Sequence, residues 1–402
     1  MRKYAEQLLF PESWSQMISS DAMRKGAGYA AVCAVMALLL HACGGGGSSH
    51  GQSGATTPTG GVPTPGPTFV VPQGGDIGKV INKAPPGSTV FVAAGQYAPI
   101  SLGAPVRAIT LVADVSGEWT TSGLQGAVTI NGGGASPAIQ LSNTSDVVIQ
   151  GFKAIGGLNA GIRVSNSPGT IVRNCIVDGG GNHTDGIRLE KSNGSLIFNN
   201  LVFDNNGAGI SLLGAANVQM INNTIAQNAL GISIGDNALP SGNIVVENSI
   251  FYGNTQAAIS ATGSTGAFSS DYNLYNGNAE NLVGVTAGAH DVPAPHDPPA
   301  DPQFRFPLQG GGQEKGFYLN ATSPAVDAGD PNTDVSIPNT DFTIVDVLTS
   351  CGGGGGYGAP GCGEPEIDLT TQVDSTLDSE PVDMGYHYPI VFLQPTPTPV
   401  PR

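Results

Sequence analysis

The chain has 402 residues, of which 59 are Gly and 30 are Pro, while 40% are apolar and only 11% charged. A formal net charge of −16 excludes a nucleic-acid partner, because phosphate is met by a basic surface. High Gly with few charges points to a loop-rich all-β protein, and past the N-terminal region no run reaches the roughly 18 apolar residues of a membrane span.

Residues 1–42 form a signal region. Met23-Arg24-Lys25 supplies a basic start, GAGYAAVCAVMALLL is a short apolar run ending at Leu40, and Leu40-His41-Ala42-Cys43 follows. These are the three parts of a secretory signal. Residues 1–22 have no role in such a signal, so Met23 is read as the true start. The Cys at the cut resembles the lipobox of bacterial lipoproteins. That resemblance implies cleavage before Cys43, lipidation of Cys43 as the membrane anchor, and an outer-membrane or cell-surface location, since Gly44 is not the retaining Asp. An uncleaved signal or ordinary membrane anchor is the alternative. Residues 43–68 read as a tether, flexible where Gly/Ser-rich and stiffer where Pro/Thr-rich. A Pro/Thr tail fills 391–402, leaving a folded domain at 69–390.

Inside that domain a short pattern recurs. AIQL begins at Ala138, GIRV at Gly161, GIRL at Gly186, GISL at Gly209, GISI at Gly231 and AISA at Ala258, giving spacings of 23, 25, 23, 22 and 27. A second marker runs in step at Asn174, Asn200, Asn223, Asn248 and Asn273, and a third at Asn205, Asn228, Asn254 and Asn278. Periods of this size mean a solenoid. Strict alternation, with Ile187 inward, Arg188 outward and Leu189 inward, selects strands over helices. Stacked strands place equivalent residues about 4.8 Å apart, so Ile139, Ile162, Ile187, Ile210, Ile232 and Ile259 are expected to form one internal column. The Asn markers are expected to hydrogen-bond along the axis at turns that need unusual backbone angles.

The rungs at 138–278 resemble the right-handed parallel β-helix repeats of the pectin-lyase-like superfamily. The segment DIGKVINKAPPGSTVFVAAGQYAPISL, from Asp76, resembles that family's N-terminal cap, a helix over 76–84 and a first coil. SPAVDAGDP from Ser323 and PVDMGYHYP from Pro381 are similar to the closing segments of secreted bacterial β-helix proteins. The resemblance implies an all-β solenoid of about eight or nine coils, with a helical cap and an irregular acidic closing segment at 316–390. It does not choose an activity, since the superfamily holds lyases, hydrolases, epimerases, esterases and adhesins.

One rung departs from its neighbours. NHTDGIRLEKSN, residues 182–193, carries His183, Asp185, Arg188, Glu190 and Lys191. Arg163 and Arg188 should be neighbours one coil apart, and like charges placed so repel unless an anion or a carboxylate lies between them. Lys153, Arg163, Arg173, Arg188 and Lys191 form a basic island, followed by no Lys or Arg from Ser192 to Phe304. Arg forks match carboxylates, so Lys153, Arg163, Arg188 and Glu190 are candidate ligands for an acidic, uronate-containing polysaccharide. Lyase chemistry on a uronate also needs a base for the C5 proton. Candidates are His183, Lys191 or Arg188, with Asp185 orienting the base or holding a cation. The plainer reading is a surface network in which the Arg residues pair with Asp185 and Glu190. The clustered Asp pairs of calcium-dependent lyases, and the paired Asp of polygalacturonase-type hydrolases, are absent from the rungs, so neither activity transfers by residue.

Among the cysteines, Cys33 leaves with the signal and Cys175 reads as a buried, inert thiol. Cys351 and Cys362 bracket GGGGGYGAPG and should form a disulfide outside the cytoplasm, a two-Cys metal site being the alternative. From Gly316 to Pro401 there are twelve Asp/Glu and no Lys or Arg. Asp330, Asn332, Asp334 and Asp341 have part of an EF-hand spacing without its Gly and Glu. They are either turn residues or ligands of a structural calcium ion.

Two functions therefore stay open. The first is a cell-surface lipoprotein that binds, and by one reading cleaves, an acidic polysaccharide. The second is a non-catalytic structural or adhesive module that meets protein partners.

Overall fold

A computed structural model of the chain describes residues 66–182, 184–236, 238–262, 266–292, 301–304, 316–330, 369–370, 383–386 and 388–389. The signal region, Cys43, the tether up to residue 65, His183, Asn332, Asp334, Asp341, Cys351, Cys362 and the Pro/Thr tail lie outside the described residues, and Thr68 at the end of the expected tether already opens the first strand. No helix among the described residues is long and apolar enough to cross a membrane.

The chain winds into a parallel β-helix. A first sheet has nine strands, from Thr68–Val71 to Phe268–Asp271, a second has eight, from Gly95–Tyr97 to Leu274–Asn276, and a third has eight, from Ile100–Gly103 to Glu280–Val283. Successive strands visit the first, second and third sheets in strict rotation, so each coil contributes one strand to every face. After the opening strand there are eight such coils, within the eight or nine expected.

Alternation fixes which side chains fill the interior. Ile139, Ile162, Ile187, Ile210, Ile232 and Ile259 pair in register from coil to coil on the third sheet, and every one is fully buried. Burying an aliphatic side chain of this size contributes about 1.5–3 kcal/mol, and the column repeats that gain at every turn. At the N-terminal end the helix Ile77–Ile81, shorter than the expected 76–84, lays Ile77 and Ile81 over the first coil. Asp76 caps it by accepting from the Lys79 N–H at 2.9 Å.

The corners show a division of labour that the Asn pattern conceals. Between the first and second sheets, Asn200 Oδ1 accepts from the Cys175 N–H (3.0 Å) and Asn223 Oδ1 from the Asn200 N–H (2.9 Å). Ser249 and Asn273 continue the ladder, and Asp291 Oδ1 ends it by accepting from the Asn273 N–H at 2.9 Å. The left-handed backbone belongs to the preceding residues, Asn174, Asn199, Asn222 and Asn248, with φ of 54°, 51°, 53° and 52°. Asn174 and Asn248 are thus turn residues, while Cys175 and Ser249 hold their ladder positions. Between the second and third sheets, Asn205, Asn228, Asn254 and Asn278 form a second ladder, in which the amide oxygens of Asn228, Asn254 and Asn278 each take the N–H of the Asn one coil earlier. The ladder amides thus meet one another along the axis, as burial of polar groups requires, whereas the buried Asn222 Oδ1 has no hydrogen-bond partner among the described residues.

The closing segment covers the outer face of the second sheet. Phe317, Tyr318 and Tyr386 pack on the outward Ile176, Leu201, Phe203 and Ala226, and Leu319, Ala325 and Met384 pack on Ile250 and Leu274. The Tyr386 N–H donates to Thr224 Oγ1 at 2.9 Å, and the Asp330 N–H to Asn248 Oδ1 at 2.9 Å. Strands of the second sheet are therefore buried on both sides.

Candidate functional site

The outward column of the third sheet reads Ser101, Gln140, Arg163, Arg188, Ser211, Ser233 and Ser260. Arg163 and Arg188 stand in register on the strands Ala160–Ser165 and Asp185–Glu190. Ser165 pairs with Glu190, so Glu190 lies two residues along the same face from Arg188 and diagonally across from Arg163. Diagonal neighbours on a sheet are within reach of long side chains.

That placement resolves the like-charge conflict. The Glu190 carboxylate sits between the two guanidinium groups, taking Arg163 Nη2 on Oε2 at 2.8 Å and Arg188 Nε on Oε1 at 2.6 Å. Ser165 Oγ donates to the same Oε2 at 3.0 Å. Arg188 Nη1 reaches Asp185 Oδ2 at 3.2 Å, and Asp185 Oδ1 accepts from the Ala208 N–H of the next coil at 3.1 Å. Two cations and two anions make a cluster without net charge when both carboxyls are ionised. The arginine side chains remain 32% and 29% exposed, and Arg163 Nε has no hydrogen-bond partner among the described residues.

The two carboxyls are pushed apart. Burial raises Asp185, and the Ala208 N–H, Arg188 and Ser211 only partly offset it. Burial also acts to raise Glu190, but the bonds from Arg163, Arg188 and Ser165 outweigh it and hold that carboxyl below its ordinary range.

The other members of the basic island lie elsewhere. Lys153 is on the second sheet, 3.9 Å from Asp178, and Arg173 is on the first, where its Nε donates to Gln150 Oε1 at 2.7 Å. A coil of this length turns through all three sheets, so nearness in sequence does not survive as nearness on one face. Lys191 is exposed at the corner after its strand, with φ 50°. Asp185 begins that strand, which places the two roughly 20 Å apart along the backbone. The structure thus groups Arg163, Arg188, Asp185 and Glu190, places Lys153 and Arg173 on other sheets, and leaves Lys191 at the corner next to Glu190.

Ser165 and Ser211 complete the cluster and escape notice in the sequence. The signal for Ser165 is its place one coil before Glu190 in the same outward column. Asp330 uses its backbone N–H and C=O to hold Asn248, and no group of three or more metal-ligating side chains occurs among the described residues. Cys175 is buried, its Sγ 3.2 Å from the Arg173 carbonyl, and burial pushes the thiol up to about 12. That agrees with an inert side chain.

The fold and this face define a parallel β-helix protein with a charged patch on one lateral sheet. The family described as "Right handed beta helix region" matches residues 126–290, and no curated protein matches the chain. Among solved structures, the pectate lyase Pel9A is similar at 12% identity and a TM-score of 0.42, covering 68% of this chain and 94% of that one. The periplasmic alginate epimerase AlgG is similar at 18% identity and a TM-score of 0.30, covering 54% and 55% of the two chains. The A-module of the Azotobacter vinelandii mannuronan C-5 epimerase AlgE6 is similar at 14% identity and a TM-score of 0.27, covering 54% and 92%. The chain spans about half the length of the AlgG structures it matches.

Proposed function

We propose that this protein binds an acidic, uronate-containing polysaccharide across the third sheet, with Arg163 and Arg188 as the contact for sugar carboxylates. One observation carries the reading. Two arginines from successive coils present partly exposed guanidinium groups side by side, with N–H donors left over by their partners among the described residues. Arg forks of this kind bind carboxylates bidentately, and an extended polymer can follow the coil axis across the adjacent column of serines.

Binding without cleavage is the form of this reading that the geometry favours. Both oxygens of Asp185 are engaged, and Lys191 lies at the corner after the strand rather than on the sheet face. The N-terminal sequence supports a location at the outer membrane, with Cys43 lipidated and the 43–68 tether holding the solenoid away from the lipid. A tether of that length has a flexible reach of roughly 25–30 Å.

The test is a panel of acidic and neutral glycans, read for equilibrium binding and for the ultraviolet absorbance of an unsaturated lyase product. Retention of uronate polymers without that product is expected. Retention of neutral glycans alone, or of none, would reject the proposal.

A further inference from the structure

The seat a ligand carboxylate needs is already filled from within. Each Glu190 oxygen meets a different arginine, Oε1 with Arg188 Nε at 2.6 Å and Oε2 with Arg163 Nη2 at 2.8 Å. Charge-assisted bonds of this length are at the strong end for side chains. A carboxylate approaching the intact cluster would meet two cations already balanced by Asp185 and Glu190, and would leave the patch with an excess negative charge. The donors left over, Arg163 Nε among them, cannot offset that alone, because Arg163 Nε is itself buried against the face.

Asp185 and Glu190 differ in how firmly the fold holds them. Asp185 is tied to the next coil through the Ala208 N–H and is 6% exposed. The Glu190 carboxylate accepts only from side chains: Arg163, Arg188 and Ser165. It is the last residue of its strand, and Lys191 turns the corner immediately after it. Rotating the Glu190 side chain over that corner breaks no backbone bond.

We infer that Glu190 is a built-in competitor for the carboxylate seat, and that an acidic sugar binds by displacing it from Arg163 and Arg188. This rests on the polysaccharide reading above and adds a specificity device to it. An isolated uronate exchanges one carboxylate for another with little gain. A polymer that makes further contacts along the sheet can drive the exchange, so the site selects chains over monomers.

The experiment compares wild-type full chain, Glu190→Gln and Ser165→Ala for binding to polygalacturonate, alginate and a neutral glucan, with circular dichroism to confirm folding. Glu190→Gln keeps the shape, removes the competing charge and should bind the acidic polymers about tenfold tighter or more, as loss of a charged hydrogen-bonded competitor implies. Ser165→Ala removes one restraint on Glu190 without changing charge and should tighten binding about two- to threefold by the same reasoning. Acidic-polymer binding by Glu190→Gln where wild type shows none would overturn the inference, because a competitor that the polymer displaces must yield in the wild type. If wild type binds and neither variant binds more tightly, Glu190 is not a competitor, while the polysaccharide reading survives. If no form binds an acidic polymer, both fail together.

Discussion

Arg163 and Arg188 lie in register on neighbouring coils, and the Glu190 carboxylate joins them at 2.8 and 2.6 Å. The three residues act unequally on stability. Arg163→Ala removes one partly exposed ion pair and should cost at most about 1 kcal/mol. Glu190→Ala leaves two adjacent guanidinium groups without the anion between them and should cost about 1–3 kcal/mol. Urea midpoints of the two variants check the order, and a larger loss for Arg163→Ala would contradict it.

The same clamp sets a pH dependence. Glu190 titrates below its ordinary value in the folded protein. Its stabilisation is therefore full above the ordinary glutamate value of about 4.3, and is lost as pH falls through the lower folded value. Asp185 titrates above its ordinary value because of burial. It favours the folded state below about 3.9, and that contribution is lost as pH rises through the raised value. The stability gap between wild type and Glu190→Gln should be flat above about pH 5 and close in more acidic solution. A gap that widens on acidification would contradict the assignment.

The internal column makes a sharper prediction. Ile187→Asp places an unpaired charge at a fully buried position and should prevent folding, since no partner is within reach inside the solenoid. Ile187→Ala should cost about 2–5 kcal/mol and remain folded. A soluble, native-like Ile187→Asp protein would overturn the register.

Asparagines at different corners should respond differently. Asn223 Oδ1 takes the N–H of Asn200, and its own Nδ2 donates to the Ile197 and Ile221 carbonyls. Asn223→Ala should cost about 2–3 kcal/mol by stranding buried groups. Asn166 is exposed with φ 48°, a conformation Gly adopts freely, so Asn166→Gly should change stability by no more than about 0.5 kcal/mol. Thermal denaturation of both variants decides it.

These contrasts show where the sequence was readable. The Ile column and the pairing of Arg163 with Arg188 followed from a repeat of nearly constant length, because parallel stacking turns equal spacing into register. The place of Glu190 was readable by the same rule, since Arg188 and Glu190 share strand parity and Glu190 falls beside Ser165. The scatter of Lys153 and Arg173 onto other faces was hidden by their nearness in sequence, and depended on where the corners fell. The covering of the second sheet left a trace in triplets such as Leu201-Val202-Phe203, which do not alternate and so mark strands buried on both faces. Nothing local to Phe317 or Tyr386 indicates which face they cover.

The lipid anchor can be tested apart from the solenoid. Cys43→Ser should move the protein from the membrane fraction to the soluble fraction. Unchanged retention in membranes would point to another anchor.

The central claim is tested most directly by equilibrium binding of wild type and Arg163→Ala/Arg188→Ala to polygalacturonate and alginate across a salt series. The account predicts wild-type affinity that weakens as salt rises, because screening acts on exposed guanidinium–carboxylate contacts, and no binding by the folded double variant. Wild-type protein with no salt-sensitive affinity for any acidic glycan, or a double variant that binds as wild type does, would contradict it.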